Sequence, residues 1–136
     1  MDIYNNNEIT KNEIYEHYNK LIFSGDKRIL SKLFKRIEFF LMVKDLPGDI
    51  VEVGVFKGAG VALWLSLKHI YSPHSIFKVI GFDMFNSEKL LDNLKDDEKE
   101  KMNDVLKRSS SEELTRDAIL QKLDKIHNSD DAILIE

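Results

Sequence analysis

Residues 51–60 read VEVGVFKGAG, an acid within a β-branched run followed by glycines at positions 54, 58 and 60. Pro47 and Gly48 break the chain just before it, so IVEV begins as a short strand of the kind buried on both faces. Glycines at the end of such a strand let the backbone turn tightly and let a ligand approach the main chain. The free amides of a following helix then attract a carboxylate or phosphate. The site therefore favours an anionic or zwitterionic ligand, although the same glycines would also serve close packing of strand on helix. The spacing is not GxGxxG, which weakens a dinucleotide reading.

The rest of the chain supplies the partners such a unit needs. Residues 61–70 are largely apolar and read as a helix stopped at Ser72 and Pro73, and FKVIGF at 77–82 reads as a second strand. About two dozen residues between the strands match a right-handed βαβ crossover better than a hairpin. Upstream, after a polar leader, Thr10 and Glu13 form a capping box for a helix with Ile14, Tyr18, Leu21 and Ile22 on one face. Gly25 ends it. A second helix over 27–44 carries a stripe of Leu30, Leu33, Phe34, Ile37, Phe40 and Leu41.

Downstream, the charged stretch 86–128 has a weak helical period at Leu91, Leu94, Met102 and Val105 and reads as one solvated helix. A second helix follows, opened by Ser110 and Glu113, with Ile119, Leu123 and Ile126 on its buried side. AILIE at 132–136 has strand character. The expected fold class is α/β: a Rossmann-like three-layer α/β/α arrangement with a parallel sheet, incomplete at its first three strands, preceded by N-terminal helices. Residues 1–46 form a helical cap and 47–136 the partial Rossmann-like domain, ending at the third strand.

Composition removes several classes of function. With 136 residues and 43% apolar content the chain supports one modest core. A net charge of -4 and a pI near 5.6 argue against nucleic acid as a partner, since phosphate neutralisation needs a clustered positive face. The chain has no cysteine, so disulfides, thiolate zinc sites and a thiol nucleophile are excluded. The polar, acidic N-terminus lacks the pattern of a secretion or import signal, and the longest mostly apolar stretch, 58–67, is about half of what crosses a bilayer. The expectation is a cytoplasmic protein with no membrane partner. The four histidines, at 17, 69, 74 and 127, lack metal-ligand spacing, so no metal residue is assigned. Ser109, Ser110 and Ser111 suit helix capping better than nucleophilic catalysis.

Asp83 directly follows the second strand. In a parallel sheet, ligands bind outside the carboxyl ends of the strands, where an acid can accept from both hydroxyls of a ribose. Glu52, inside the first strand, needs a hydrogen-bonding reason for its burial, which a ligand amine or the amides of the turn would supply. Phe56, Met84 and Phe85 flank the same pocket and suit a nucleoside or plain core packing equally. Trp64 and Lys57 read as core and as solvent-exposed turn respectively.

The residues LPGDIVEVGVFKGAG at 46–60, together with KVIGFDMF at 78–85, resemble the macrocin O-methyltransferase family, also called the TylF family, within class I methyltransferases. The preceding SKLFKRIEFFLMVKD resembles that family's leading helix, so the likeness covers residues 27–85 well and AILIE more loosely. The resemblance implies S-adenosylmethionine as cofactor. Its methionine part would lie near the turn formed by Glu52, Val53, Gly54, Phe56, Gly58 and Gly60, and its nucleoside near Asp83, Met84 and Phe85. It implies methylation of a hydroxyl on a sugar or other small-molecule acceptor. Two departures stand out: Gly60 where relatives often carry serine, and Asn86-Ser87 where an acidic-glycine pair is common.

In the family, the aspartates that hold a divalent metal such as Mg and assist deprotonation lie beyond a point corresponding to Glu136. No residue here is thus assigned to metal or catalysis, and the expectation is an N-terminal portion inactive by itself. With strands in the order 3-2-1 the first becomes an open apolar edge, which is expected to drive self-association. An alternative reading is a non-catalytic interaction module with a vestigial nucleotide-binding turn. An NAD-dependent oxidoreductase shares the strand, turn and acid.

Overall fold

A computed structural model describes residues 9–127 and 129–136. The polar leader, residues 1–8, and Asn128 at the end of the charged stretch lie outside the described residues. The chain divides into two compact units, Met1–Leu46 and Pro47–Glu136.

The first unit holds α1 (Lys11–Phe23) and α2 (Lys27–Val43). The capping box at the head of α1 is formed: Glu13 N–H donates to Thr10 Oγ1 at 3.3 Å, and Thr10 N–H donates to the Glu13 carboxylate at 2.7 Å. Gly25 turns the chain at φ +63°, and Asp26 caps α2 by accepting from the N–H groups of Arg28 and Ile29. Of the α2 stripe, Phe40 is buried, Leu30, Leu33 and Ile37 are half-buried, and Phe34 and Leu41 are exposed. On α1, Ile14, Tyr18 and Ile22 are exposed and Leu21 is half-buried.

The second unit runs β1 (Ile50–Val53), α3 (Ala59–Tyr71), β2 (Val79–Phe82), α4 (Ser87–Asp92), α5 (Asp96–Leu106), a 3-10 turn (Glu112–Leu114), α6 (Arg116–Asp124), a second 3-10 turn (Ser129–Asp131) and β3 (Ala132–Ile135). The strands form a parallel sheet in the order β1-β2-β3, with Ile50 opposite Val79 and Val79 opposite Ala132. This is the α/β, Rossmann-like arrangement expected from the strand, turn and crossover.

Strand residues alternate between faces, so Ile50, Glu52, Val79, Gly81, Ala132 and Leu134 share one side of the sheet. That side carries the core, where Val61 and Leu65 of α3 and Ile119 and Leu123 of α6 meet Val79, Ala132 and Leu134. Gly81 sits at its centre: a Cβ there would lie 2.7 Å from Val55 Cγ2 and 2.9 Å from Leu134 Cδ2. On the opposite side Val51, Val53, Phe82, Ile133 and Ile135 remain exposed. The expectation that β1 is buried on both faces is thus corrected, since Val53 is 83% exposed. β1 is also an open edge. Its Ile50 and Gly54 N–H groups reach β2, so the main-chain groups of Val51 and Val53 point the other way.

The charged stretch departs from the expected single helix. Asn93 ends α4 by donating its N–H to the carbonyls of Leu90 and Leu91, and Lys95 N–H donates to the Glu98 carboxylate to start α5. Ser110 accepts from Glu113 N–H, but this opens only the 3-10 turn; α6 starts later, where Thr115 Oγ1 accepts from Ala118 N–H. Ile126 lies past the end of α6 and is exposed, because the helix stops before its turn comes round to the core.

Two side-chain clusters tie α3 to the end of the chain. Lys68, 3% exposed, donates to Phe77 O at 2.7 Å and pairs with Asp131 at 3.0 Å. His69 and His127 stack with ring centroids 4.8 Å apart, and His127 Nε2 lies 2.9 Å from Ser66 Oγ. Burial, and then the neighbouring His69, hold His127 below its ordinary value of 6.5. The unfolded chain binds this proton more readily, so the stability from neutral His127 is complete above pH 6.5 and is lost as pH falls below it. The melting temperature is expected to drop by a few degrees between neutral and mildly acidic buffer in the native chain, and by less in His127→Gln, as read by differential scanning fluorimetry.

Candidate functional site

β1 and β2 end side by side, Val53 opposite Phe82. Beyond β1, Gly54 N–H still donates to Phe82 O at 2.8 Å, and Gly58 N–H donates to Val55 O at 3.0 Å to close the turn into α3. Gly54 stands at φ +88°, and a Cβ built there would meet nothing within 4 Å. The turn therefore presents bare main chain to open space, where a ligand can approach. Phe56, in the same turn, holds a left-handed φ of +52°, an uncommon conformation for a bulky side chain.

Asp83 continues the ladder beyond β2, its N–H donating to Ile135 O. Its carboxylate reaches back across the strand tips. Oδ2 accepts from Val55 N–H at 2.7 Å and from Phe56 N–H at 2.9 Å, while Oδ1 accepts from Phe85 N–H at 3.1 Å. Phe85 is the second left-handed non-glycine residue among those described, at φ +47°. One carboxylate thus holds the N–H groups of both left-handed phenylalanines, and the glycine turn and the acid share one crevice. Beside Asp83 lies a small cavity of about 60 Å³ lined by Phe56, Phe85 and Leu90 among others. It adjoins a wider, open hollow of about 250 Å³ bordered by Asn86, Ser87, Glu88 and Thr115.

The remaining sequence-derived site residues separate. Phe56, Asp83 and Phe85 come together at the cavity, and Met84 is half-buried outside its lining. Val53 projects from the sheet face opposite the core. Glu52 lies on the α3 side, its Oε2 accepting from Trp64 Nε1 at 2.6 Å. An indole N–H is thus one partner of this acid, and Trp64, which packs against the core, also donates a hydrogen bond to it. Gly58 and Gly60 are buried, and neither has room for a Cβ without a shift of its neighbour. A Cβ at Gly58 would lie 2.7 Å from Ile119 Cγ2, and one at Gly60 would run into the Glu52 carboxylate. Lys57 is half-buried, donating to Arg108 O at 3.0 Å and lying 3.7 Å from Glu113.

Leu106 and Leu114 line the cavity without any sequence signal, because their neighbours are charged and their period is broken by two helix ends. The side chain of Asn86, to which the sequence reading gives no role, caps α4 by accepting from Lys89 N–H at 3.0 Å. Among the described residues no group of three or more His, Asp or Glu is placed to hold a metal ion. No helix among them is long and apolar enough to cross a membrane.

No protein-family model matches the chain, and no curated protein matches it. Among solved structures, the crystal structure of CalS11, a calicheamicin methyltransferase, superposes with a TM-score of 0.58 over 98% of this chain and 53% of that one. The fold is methyltransferase-like. Sequence identity across that superposition is 18%, so the likeness is one of fold, and this chain spans about half the length of its neighbour.

Proposed function

We propose that the crevice between the β1–α3 turn and Asp83 binds S-adenosylmethionine, and that the chain is the cofactor-binding part of a methyltransferase acting on a hydroxyl of a sugar or other small molecule, akin to the macrocin O-methyltransferases. The observation that carries this reading is the 2.7 Å approach of Asp83 Oδ2 to Val55 N–H, which joins the turn and the acid at neighbouring strand tips. Two groups fit the cofactor: the uncovered main chain at Gly54 for a close ligand approach, and the Asp83 carboxylate as acceptor for ribose hydroxyls. Phe56 and Phe85 offer apolar faces to a purine ring. Bound there, the cofactor supplies an electrophilic methyl group; the residues of this chain bind and orient, and none is assigned to proton transfer.

Isothermal calorimetry on the full chain with S-adenosylmethionine, S-adenosylhomocysteine and NAD tests the reading. Saturable heat is expected with the first two and none with NAD, and Asp83→Ala is expected to weaken binding by about tenfold or more, the loss of a charge-assisted hydrogen-bond pair. Absence of both heat and thermal shift at millimolar ligand would overturn it in favour of an interaction module.

A further inference from the structure

The cavity at Asp83, about 60 Å³, is far below the roughly 300–1,000 Å³ of small-molecule sites, so a nucleoside seated against Asp83 needs it to widen. What must move can be read from the acceptor count. A carboxylate has about four lone-pair sites. Three are taken by the N–H groups of Val55, Phe56 and Phe85, two of them on Oδ2. A vicinal diol brings two further O–H donors, so Asp83 cannot accept both without releasing a main-chain N–H.

The two phenylalanines differ in what holds them. Phe85 is 7% exposed and belongs to the core, whereas Phe56 is 40% exposed and stands at the cavity wall. A left-handed bulky residue persists only where its surroundings over-determine it. Phe85 has both the core and the bond to Asp83 around it; Phe56, outside the core, has the bond to Asp83.

The geometry points to Asp83 as an exchangeable clasp: a nucleoside diol takes over its Oδ2, the N–H groups of Val55 and Phe56 are handed off, and Phe56 leaves its left-handed conformation to open the crevice. Phe85 stays in place. This rests on the nucleoside reading given above, and it makes Asp83 both the latch of the crevice and the acceptor of the nucleoside.

Amide hydrogen exchange by NMR on the full chain tests it, with adenosine as the diol probe and 2′,3′-dideoxyadenosine as its diol-free counterpart, both at millimolar concentration. Without ligand, the amides of Val55, Phe56 and Phe85 are expected to be protected, and Asp83→Asn, with a single acceptor oxygen, to speed their exchange. Adenosine is expected to speed exchange at Val55 and Phe56 by about tenfold or more, an opening of local protection, while leaving Phe85 unchanged; dideoxyadenosine is expected to leave all three unchanged. Saturable adenosine shifts at Leu90 and Leu114 with Val55 and Phe56 still protected would overturn the clasp and leave the binding reading intact. No saturable shifts with adenosine or S-adenosylhomocysteine would end both. The wild-type measurements decide the matter even if the Asn variant does not fold.

Discussion

Asp131→Ala is expected to destabilise the fold by about 3–5 kcal/mol, the cost of leaving a buried charge without its partner. Lys68 is the charge left behind. Its side chain is 4% exposed, and after the substitution it would keep, among the described residues, the Phe77 carbonyl at 2.7 Å and the face of the Phe77 ring. Lys68→Met should be milder, because Asp131 is 20% exposed and retains Lys78 at 3.4 Å. The double variant Lys68→Met/Asp131→Leu is expected to recover most of the loss, since a buried pair can be replaced by apolar groups at little cost. Urea denaturation reads all three. A loss within about 0.5 kcal/mol for Asp131→Ala, the range of an ordinary surface change, would show that the pair is not buried as described.

The same pair sets an acid limit. Burial alone would raise the Asp131 carboxyl, but the bonds and charges of Lys68 and Lys78 outweigh it and hold the group below its ordinary 3.8. A depressed carboxylate contributes stability that is present above its unfolded value and lost as pH falls through the folded one. The contribution of Asp131 is therefore complete above pH 3.8 and is lost as pH falls below it.

What was legible in the sequence had a local physical cause. The strand IVEV, its glycine turn and the acid after VIGF follow from β-branched runs and backbone permissiveness, and they lie where parallel-sheet geometry requires. The capping box at Thr10 and Glu13 is likewise a matter of four neighbouring residues. Interactions between elements far apart in the chain were not legible. Trp64 meets Glu52 from a full turn and more along α3, Lys68 reaches Asp131 across the sheet, and Leu106 and Leu114 come to the cavity from a stretch whose helices stop and restart. Local rules also mislead where they compete: Ser110 and Thr115 both suit a helix start, yet the first opens only a 3-10 turn and the second opens α6, which carries Ile119 and Leu123 into the core. The glycines show the same limit. A glycine gives no sign of whether it faces open space or a neighbour: a Cβ at Gly54 would meet nothing within 4 Å, whereas one at Gly58 or Gly60 would meet a side chain.

Gly58→Ala separates these meanings at one position. Gly58 stands at φ +87°, where an L side chain is strained, and its new Cβ would lie 2.7 Å from Cγ2 of the fully buried Ile119. The left-handed conformation costs about 1–2 kcal/mol and overpacking about 1–3 kcal/mol, so the variant should lose several degrees to more than ten in melting temperature. Ile119→Leu removes the offending branch methyl while conserving volume, and alone should cost under about 1.5 kcal/mol. Combined with Ile119→Leu, the alanine substitution is expected to cost only the conformational part, giving a favourable coupling between the two sites. An unchanged cost in the double variant would show that Ile119 is not what excludes a side chain. Because Gly58 closes the turn on Val55 O, the single variant also displaces the amides that Asp83 holds. It should therefore weaken the proposed nucleoside binding together with stability, and adding Ile119→Leu should restore part of both.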